Sequence, residues 1–215
     1  MRLLVVAAWE PELTRFRERL AGATVDGIEV VTDTIGVGLV EAGIGMTRCV
    51  MGHAPDRAVL LGTAGALPRG KGQLAIGGVV VASAVQLVDA GILEGRSALP
   101  GPMPARVALD AGLHDALLTH GAKSVQIANT VGVTVDDPLA AALGAGDAHV
   151  EHLEAFAFAR ACAAANVPCG IVLGIANVVG ARGRAEWLAN HVQASAAAGD
   201  VAFAALPFLP RAPAR

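Results

Sequence analysis

Continuous apolar runs alternate along the chain with segments in which apolar residues recur every three to four positions. The apolar runs are typical of strands buried on both faces and cover residues 2–8, 58–61, 77–85, 125–135 and 169–177. The helical spacing covers residues 11–20, 105–120, 136–143, 153–166 and 184–206. Strands that alternate with helices predict an α/β fold, here a three-layer α/β/α sandwich with a mixed, largely parallel central sheet.

Glycine and proline positions divide the rest of the chain. Residues 28–40 alternate as a hairpin or meander would, and the glycines at 43–45 are expected to open a second helix. Residues 62–67 read as a small-residue turn, and the proline-containing stretch 95–104 as a surface loop that could cover a site. We expect one domain over residues 1–206 and a flexible tail over residues 207–215.

Composition excludes several classes of protein. The chain is 54% hydrophobic, but no uncharged run is long enough to span a membrane. A net charge of −3 and only two lysines argue against a nucleic-acid partner. The three cysteines and six histidines show no metal-ligand spacing, so neither a metal nor another cofactor is expected. The first apolar segment is too short for a signal peptide, which makes the cytoplasm the expected compartment.

The last predicted strand ends in a single polar residue, Asn177, which a loop rich in Gly and Arg follows. In open α/β sheets, ligands bind outside the carboxyl ends of the strands. Asn177 is therefore either a ligand contact or simply the first residue of a turn.

Two carboxylates lie in similarly suggestive places. Glu12 follows the first strand directly, and Glu154 stands among apolar residues at the start of a helix. Acids in a first helical turn commonly interact with the helix dipole, but an acid in apolar surroundings is costly to bury unless it is paired or used. The glycines of residues 62–65 could let the backbone approach a flat ligand, or form only a turn. No dinucleotide fingerprint and no serine-hydrolase elbow is present.

Five short motifs, in their order and spacing, carry a resemblance that covers nearly the whole chain. They are Ala-Ala-Trp-Glu-Pro-Glu at 7–12, Gly-Ile-Gly at 43–45, Gly-Thr-Ala-Gly-Ala-Leu at 62–67, Val-Glu-His-Leu-Glu-Ala at 150–155 and Ile-Ala-Asn at 175–177. Together they resemble the nucleoside phosphorylase and nucleosidase superfamily. The resemblance implies an N-glycosidase without a cofactor, a small-molecule nucleoside as substrate, and a homo-oligomer of two or more copies.

The resemblance also implies roles for individual residues. Glu12 matches the acid that activates water in the nucleosidases, Glu154 the acid that holds the ribose hydroxyls, and Asn177 the position at which most members have an Asp that protonates the leaving base. The implied catalytic residues are Glu12 and Asn177. The implied substrate-binding residues are Ala8, Trp9, Thr63, Ala64, Gly65, Leu153, Glu154 and Arg182.

Two departures from the family pattern narrow the expected reaction. Leu60 stands where the phosphorylases usually have a phosphate-binding Arg, which favours water as the nucleophile. The amide of Asn177 can donate to O6 and accept from N7–H of a 6-oxopurine such as hypoxanthine.

Residues 177–187 resemble the futalosine hydrolase branch, although Ala181 and Gly183 replace its usual Pro and Asp, Leu153 its usual Met, and Ala176 the usual Ser. Hydrolysis of futalosine to hypoxanthine, in the futalosine pathway of menaquinone biosynthesis, is the expected reaction. The alternatives are a methylthioadenosine/S-adenosylhomocysteine nucleosidase and a non-catalytic nucleoside-binding protein of the same fold.

Overall fold

A computed structural model describes residues 1–23, 25–69, 72–118 and 121–210 of the chain. The strands are β1 (Arg2–Ala7), β2 (Glu29–Thr34), β3 (Arg57–Ala66), β4 (Val79–Leu87), β5 (Arg106–Ala108), β6 (Lys123–Asn129), β7 (Val150–His152) and β8 (Cys169–Val178). The helices are α1 (Thr14–Leu20), α2 (Leu39–His53), α3 (Ala90–Leu93), α4 (Ala111–Leu118), α5 (Asp137–Gly144), α6 (Ala155–Ala164) and α7 (Gly183–Ala205). Short 3₁₀ turns precede α1 at Glu10–Leu13 and follow α7 at Leu206–Phe208.

The strands form one mixed sheet. Its order is β2-β1-β3-β7-β6-β4-β5, and β8 pairs with both β3 and β4. Among the described strands, the β3–β7, β4–β5 and β4–β8 pairs are antiparallel, and the other pairs are parallel. Because β3, β8, β4, β6 and β7 pair in a closed cycle, this part of the sheet curls into a ring. The predicted mixed, largely parallel sheet is confirmed.

Helices cover both faces of the sheet, as the alternation along β1 shows. Leu4 packs on one side in a core that includes Met46 of α2 and Phe158 of α6. Leu3 packs on the other side in a core that includes Phe16 of α1 and residues of α7. Successive strand residues point to opposite faces, so a strand that is apolar throughout serves both cores. The predicted three-layer sandwich is therefore confirmed.

Two glycines allow backbones to pack directly against each other. A Cβ on Gly174 of β8 would lie 2.0 Å from the carbonyl oxygen of Ala194, so β8 and α7 could not approach as closely with any larger residue. A Cβ on Gly45 of α2 would lie 2.1 Å from the carbonyl oxygen of Ile35. The glycines at positions 43 and 45 lie inside α2, which begins at Leu39. The prediction that they open this helix was wrong.

The predicted hairpin at residues 28–40 was also wrong. Only Glu29–Thr34 is a strand, and it pairs parallel with β1. Gly36 and Gly38 then adopt φ angles of +91° and +87°, which end the extended segment and lead into α2. The glycines that alternate with apolar residues after β2 therefore form a turn with left-handed backbone angles, and they do not belong to a second strand.

The glycine-rich residues 62–66 belong to the second half of β3, where a turn was predicted. The small side chains lie between β7 and β8 at the crowded end of the ring, which explains why the strand contains them. The predicted strand at 125–135 ends at Asn129. In the predicted helix at 105–120, residues 106–108 form β5 and the helix begins at Ala111, while residues 119 and 120 lie outside the described residues.

The carboxyl-terminal residues divide into two parts. Leu209 packs into the same core as Leu206 and is buried, so the first residues of the predicted tail are held against the domain. Residues 211–215 of that tail lie outside the described residues. The described helices include none with the length and apolar character that a membrane crossing requires.

Candidate active site

A cleft of about 570 Å³ opens at the carboxyl ends of β1, β3 and β8. Its position follows the rule for open α/β sheets, because parallel strands bring the residues that follow them to one edge. The cleft gathers residues that are distant in the sequence. Of the predicted site residues, it is lined by Ala8, Trp9, Glu12, Thr63, Ala64, Gly65, Leu153, Glu154 and Asn177.

Glu12 reaches the cleft from the 3₁₀ turn that follows β1, in which Pro11 is among the first residues. Its Oε1 accepts hydrogen bonds from the backbone nitrogen of Thr63 at 3.0 Å and from the Thr63 hydroxyl at 3.1 Å. The same hydroxyl accepts from Nε1 of Trp187 at 3.1 Å, so its own proton points to Glu12. Glu12 is therefore fixed by a chain of donors that begins on α7.

Burial of this carboxylate changes its acidity. Glu12 is 6% exposed, and its desolvation raises the pKa of the carboxyl to about 8. The hydrogen bonds from Thr63 act in the opposite direction, and the negative charge of Glu154 raises the pKa further. Glu12 therefore holds its proton at neutral pH in the free protein and is a strong base when it has lost it.

Glu154 lies just before α6, facing the glycine turn that follows β2. The backbone nitrogen of Gly38 donates to its Oε1 at 2.7 Å. Nδ1 of His152 lies 3.2 Å from its Oε2, but this nitrogen already accepts from the backbone nitrogens of Glu154 and Ala155, each at 3.1 Å. Burial lowers the pKa of His152, so the imidazole is neutral and carries its proton on Nε2. The short distance between Nδ1 of His152 and Oε2 of Glu154 is therefore not an ion pair.

A bulge in β8 aims Asn177 into the cleft. The β3–β8 register passes from Ala64 opposite Ile175 to Gly65 opposite Asn177, which leaves Ala176 as the extra residue. A Cβ on Gly65 or on Gly183 would lie 3.0 Å from Nδ2 of Asn177, so glycines on both sides make room for the amide. One amide proton goes to the carbonyl of Val178 at 3.1 Å. The other amide proton and Oδ1 are available to a ligand.

The two arginines of the following loop differ in position. The side chain of Arg182, which was predicted to bind substrate, is 86% exposed and lies 3.6 Å from Glu186, outside the lining of the cleft. Arg184, two residues further on, lines the cleft. The two side chains point in different directions because α7 begins between them: Arg182 is the N-cap residue, and Arg184 lies in the first turn of the helix. Arg184 is therefore the arginine that lines the cleft, and the substrate-binding role of Arg182 stays a prediction.

Glu151, which sequence reasoning did not select, organises another wall. It is buried, and its carboxylate accepts from the hydroxyls of Thr130 and Thr134, at 3.1 and 2.5 Å, and from the backbone nitrogen of Thr134 at 3.2 Å. These contacts hold the loop after β6, from which Val133 and Val135 line the cleft. The available signal was an acid between Val150 and His152 in a short strand, but its threonine partners lie about twenty residues away in the sequence.

Aromatic rings form the rim of the cleft beside Glu12. The ring centroids of Trp187 and His191 are 4.2 Å apart in a stacked arrangement, and those of Trp9 and His191 are 5.9 Å apart. Trp9 and Trp187 both line the cleft. The site therefore offers three buried acids, Glu12, Glu151 and Glu154, and an amide in its interior, and aromatic faces with one arginine at its border.

Comparisons with known proteins find nucleosidases among the proteins similar to this chain. The chain is 29% identical over 204 residues to a 5′-methylthioadenosine/S-adenosylhomocysteine nucleosidase of Anoxybacillus flavithermus, which covers 84% of this chain and 87% of that protein. It is 31% identical over 179 residues to a futalosine hydrolase of Thermus thermophilus, which covers 78% of each. The crystal structure of a methylthioadenosine/S-adenosylhomocysteine nucleosidase of Colwellia psychrerythraea in complex with adenine has the same fold, with a TM-score of 0.82 over 97% of this chain and 96% of that one, at 20% identity. No family model matches the chain.

Fold, cleft and relatives together define the class: the protein is a hydrolase of N-glycosyl compounds, a nucleosidase. The chain belongs to the nucleoside phosphorylase and nucleosidase superfamily.

Proposed function

We propose that the protein hydrolyses the N-glycosidic bond of futalosine and releases hypoxanthine. The observation that carries this proposal is Asn177, an amide that the bulge in β8 aims into the cleft. An amide can donate one hydrogen bond to O6 and accept another from N7–H, which matches hypoxanthine. Adenine presents a donor in place of O6 and fits a protonated Asp better.

Water is the proposed nucleophile because the cleft is a poor site for phosphate. Leu60, at the position of the phosphorylase arginine, is fully buried in the core of the sheet. Of the described residues that line the cleft, Glu12, Glu151 and Glu154 are acids, and the only strongly basic side chain, Arg184, lies at its border. An ionised carboxylate repels a phosphate dianion, whereas a carboxyl group in either protonation state can form a hydrogen bond with water.

The roles of the three interior side chains follow from their chemistry. Glu154 would accept hydrogen bonds from the ribose hydroxyls, and Glu12 would take a proton from water as it attacks C1′ of an oxocarbenium-like sugar. The electron pair of the C1′–N9 bond passes to the purine, which gains a proton from solvent at N7. Asn177 then stabilises the departing hypoxanthine at N7–H and O6.

Activity should depend on the ionisation of Glu12. As the base, Glu12 must be deprotonated, and its pKa of about 8 in the free protein means that kcat/KM should rise about tenfold per pH unit below that value and level off above it. Initial rates of hypoxanthine release between about pH 6 and pH 9 measure this profile. A profile that is already flat in this range would contradict the assignment of Glu12 as the base. In Glu12→Gln the rising limb should be absent.

The competing reaction is cleavage of methylthioadenosine or S-adenosylhomocysteine, the reaction for which the relative from Anoxybacillus flavithermus is named. The test is incubation with futalosine, aminodeoxyfutalosine, methylthioadenosine and inosine, with and without phosphate, followed by identification of the released base. The proposal expects hypoxanthine from futalosine, at a rate that phosphate does not change. Faster release of adenine from methylthioadenosine would establish the competing reaction, and binding of futalosine without base release would establish a non-catalytic protein.

Arg184 is the proposed partner of the substrate carboxylate. Futalosine carries a benzoate on its sugar side, and Trp9, Trp187 and Arg184 combine aromatic faces with a guanidinium at the border of the cleft. Among the described residues, Arg184 has no hydrogen-bonding or ion-pair partner. Its free guanidinium can therefore meet a carboxylate in bidentate geometry.

Arg184→Gln should raise the KM for futalosine about tenfold or more, and leave the KM for inosine, which lacks the carboxylate, nearly unchanged. Steady-state kinetics on both nucleosides measure the effect. Arg182→Gln is the matched control, because it removes the same charge two residues away and outside the cleft. Equal effects of the two substitutions, or equal effects on the two nucleosides, would remove Arg184 from the substrate site.

A homo-oligomer is the proposed assembly. Val37, Val133 and Val135 line the cleft and are exposed, and Val40 and Ile44 extend the apolar surface along the outer face of α2. Contiguous exposed apolar surface beside a site commonly marks a protein interface. Size-exclusion chromatography with light scattering should give the mass of a dimer or larger assembly, and Ile44→Glu should shift it toward monomer.

A further inference from the structure

Three side chains that bind transition metals meet at the junction of β2 and α2. Asp33 comes from β2, and Cys49 and His53 come from α2. Oδ2 of Asp33 lies 3.0 Å from Nε2 of His53 and 3.5 Å from Sγ of Cys49. The possible ligand atoms of these three residues all lie within 4.8 Å of one another, and the described residues contain no other group of three or more His, Cys, Asp or Glu side chains that meets this criterion. None of the three lines the catalytic cleft.

Two of the three distances between these atoms are close to the edges of a tetrahedral zinc site. Typical zinc bonds of about 2.0 Å to oxygen and nitrogen and about 2.3 Å to sulfur place an oxygen about 3.3 Å from a nitrogen ligand and about 3.5 Å from a sulfur ligand. The observed 3.0 and 3.5 Å from Oδ2 of Asp33 differ from these values by at most a few tenths of an ångström, and the ligand atoms of Cys49 and His53 lie within 4.8 Å of each other. The three donor types, a thiolate, an imidazole and a carboxylate, are all ligands that Zn²⁺ accepts.

The backbone holds the three side chains in this arrangement. Cys49 and His53 are four residues apart on α2, so both project from one face of the helix. Oδ1 of Asp33 accepts from the backbone nitrogen of Thr34 at 2.8 Å, which directs Oδ2 toward α2. A hydrogen bond to the second oxygen of a ligand carboxylate is the usual way in which proteins orient such a ligand. Cys49 is buried, while Asp33 and His53 are partly exposed, so an ion can enter from solvent.

We propose that Asp33, Cys49 and His53 bind a divalent transition-metal ion of the zinc class, with water as the fourth ligand. Binding releases the thiol proton of Cys49 to solvent, and His53 coordinates through Nε2 with its ring proton on Nδ1. The carboxylate and the thiolate together balance the charge of the ion. The ion would clamp the end of β2 to α2, whose amino-terminal end follows Gly38, the residue that holds Glu154.

The alternative is a purely hydrogen-bonded cluster, in which the thiol and the imidazole both donate to Asp33. The two arrangements differ in what the thiol does when a metal is added. A thiolate bound to Co²⁺, a spectroscopic substitute for Zn²⁺, gives a charge-transfer absorption in the near ultraviolet, whereas a thiol that keeps its proton does not.

The test is titration of the full-length, chelator-treated protein with Co²⁺ and, separately, with Zn²⁺. The proposal expects a thiolate-to-cobalt absorption that saturates at one ion per chain and that Zn²⁺ displaces. Zn²⁺ at about 100 times its Kd should raise Tm by about 5 to 10 °C. Cys49→Ser should remove the absorption and most of the shift in Tm. Cys162→Ala, which removes a buried thiol from α6, should retain both.

Two further variants keep the test decisive if Cys49→Ser folds poorly. Asp33→Asn and His53→Gln each remove one ligand while the thiol remains, and each should weaken Co²⁺ binding about tenfold or more. An absorption that survives in Cys49→Ser, an affinity unchanged in both other variants, or a shift in Tm equal in all proteins would overturn the proposal. These readouts do not depend on catalysis, so they stand apart from the test of the proposed function.

Discussion

Glu12→Gln is expected to lower kcat by about 10² to 10⁴-fold, because a positioned general base contributes a factor of this size. Gln preserves the shape of the side chain and can still accept both hydrogen bonds from Thr63, so the cleft should keep its geometry. Hypoxanthine release under saturating futalosine measures the loss. Glu10→Gln is the matched control, since Glu10 lies in the same 3₁₀ turn but is exposed and paired with Arg17.

The same substitution should stabilise the protein at high pH. The pKa of Glu12 is raised from 4.5 to about 8 on folding, so between these values the native state binds more protons than the unfolded state. Stability therefore falls as pH rises through this range, and the full cost of ionising a buried carboxyl is present above pH 8. Gln carries no such cost. Urea unfolding should show a higher midpoint for Glu12→Gln than for the wild type at about pH 9 and a smaller difference at about pH 5.

These two results separate a catalytic role from a structural one. Lower activity together with equal or higher stability would mark Glu12 as a residue held in place for chemistry at a cost to folding. Retention of near wild-type turnover would refute its role as the base. A loss of stability at every pH would show instead that its hydrogen bonds to Thr63 mainly support the fold.

Asn177→Asp is expected to reverse the preference for the purine base. A carboxylate at this position repels O6 of hypoxanthine, whereas its protonated form suits adenine, so the ratio of kcat/KM for inosine to that for adenosine should fall about 10- to 100-fold. Parallel assays on the two nucleosides, which differ only in the base, measure this ratio. An unchanged ratio would show that Asn177 does not read the 6-position of the purine.

Asn190→Asp provides the control for this experiment. Asn190 lies in α7 outside the cleft, and its Nδ2 donates to the carbonyl of Glu186 at 2.7 Å, much as Nδ2 of Asn177 donates to Val178. Both substitutions thus replace an amide that donates to a backbone carbonyl. Only Asn177→Asp should alter the choice of base if the amide acts on the purine.

The sequence predicted the parts of the fold and the cleft that depend on local pattern. Runs buried on both faces identified β1 and β8, and the polar residues near their carboxyl ends, Glu12 and Asn177, both line the cleft. Glu154 could be found because an acid among apolar residues is conspicuous. In each case one stretch of sequence contained the whole signal.

The parts that could not be predicted depend on contacts between distant segments or on backbone angles. The strand assigned to residues 62–66 required knowledge that β7 and β8 would pair with it. The left-handed angles of Gly36 and Gly38, which end β2, leave no pattern that differs from a meander. The choice between Arg182 and Arg184 depended on the residue at which α7 begins, and helix ends are the least certain feature of a sequence.

The aromatic rim of the cleft makes the protein its own optical probe. The chain contains two tryptophans and no tyrosine, and both tryptophans line the cleft. Intrinsic fluorescence excited at the indole band therefore originates entirely beside the proposed reaction centre. Because Nε1 of Trp187 donates to the hydroxyl that bonds Glu12, this emission should follow both the ionisation of Glu12 and the arrival of a nucleoside, without a label and in the native sequence.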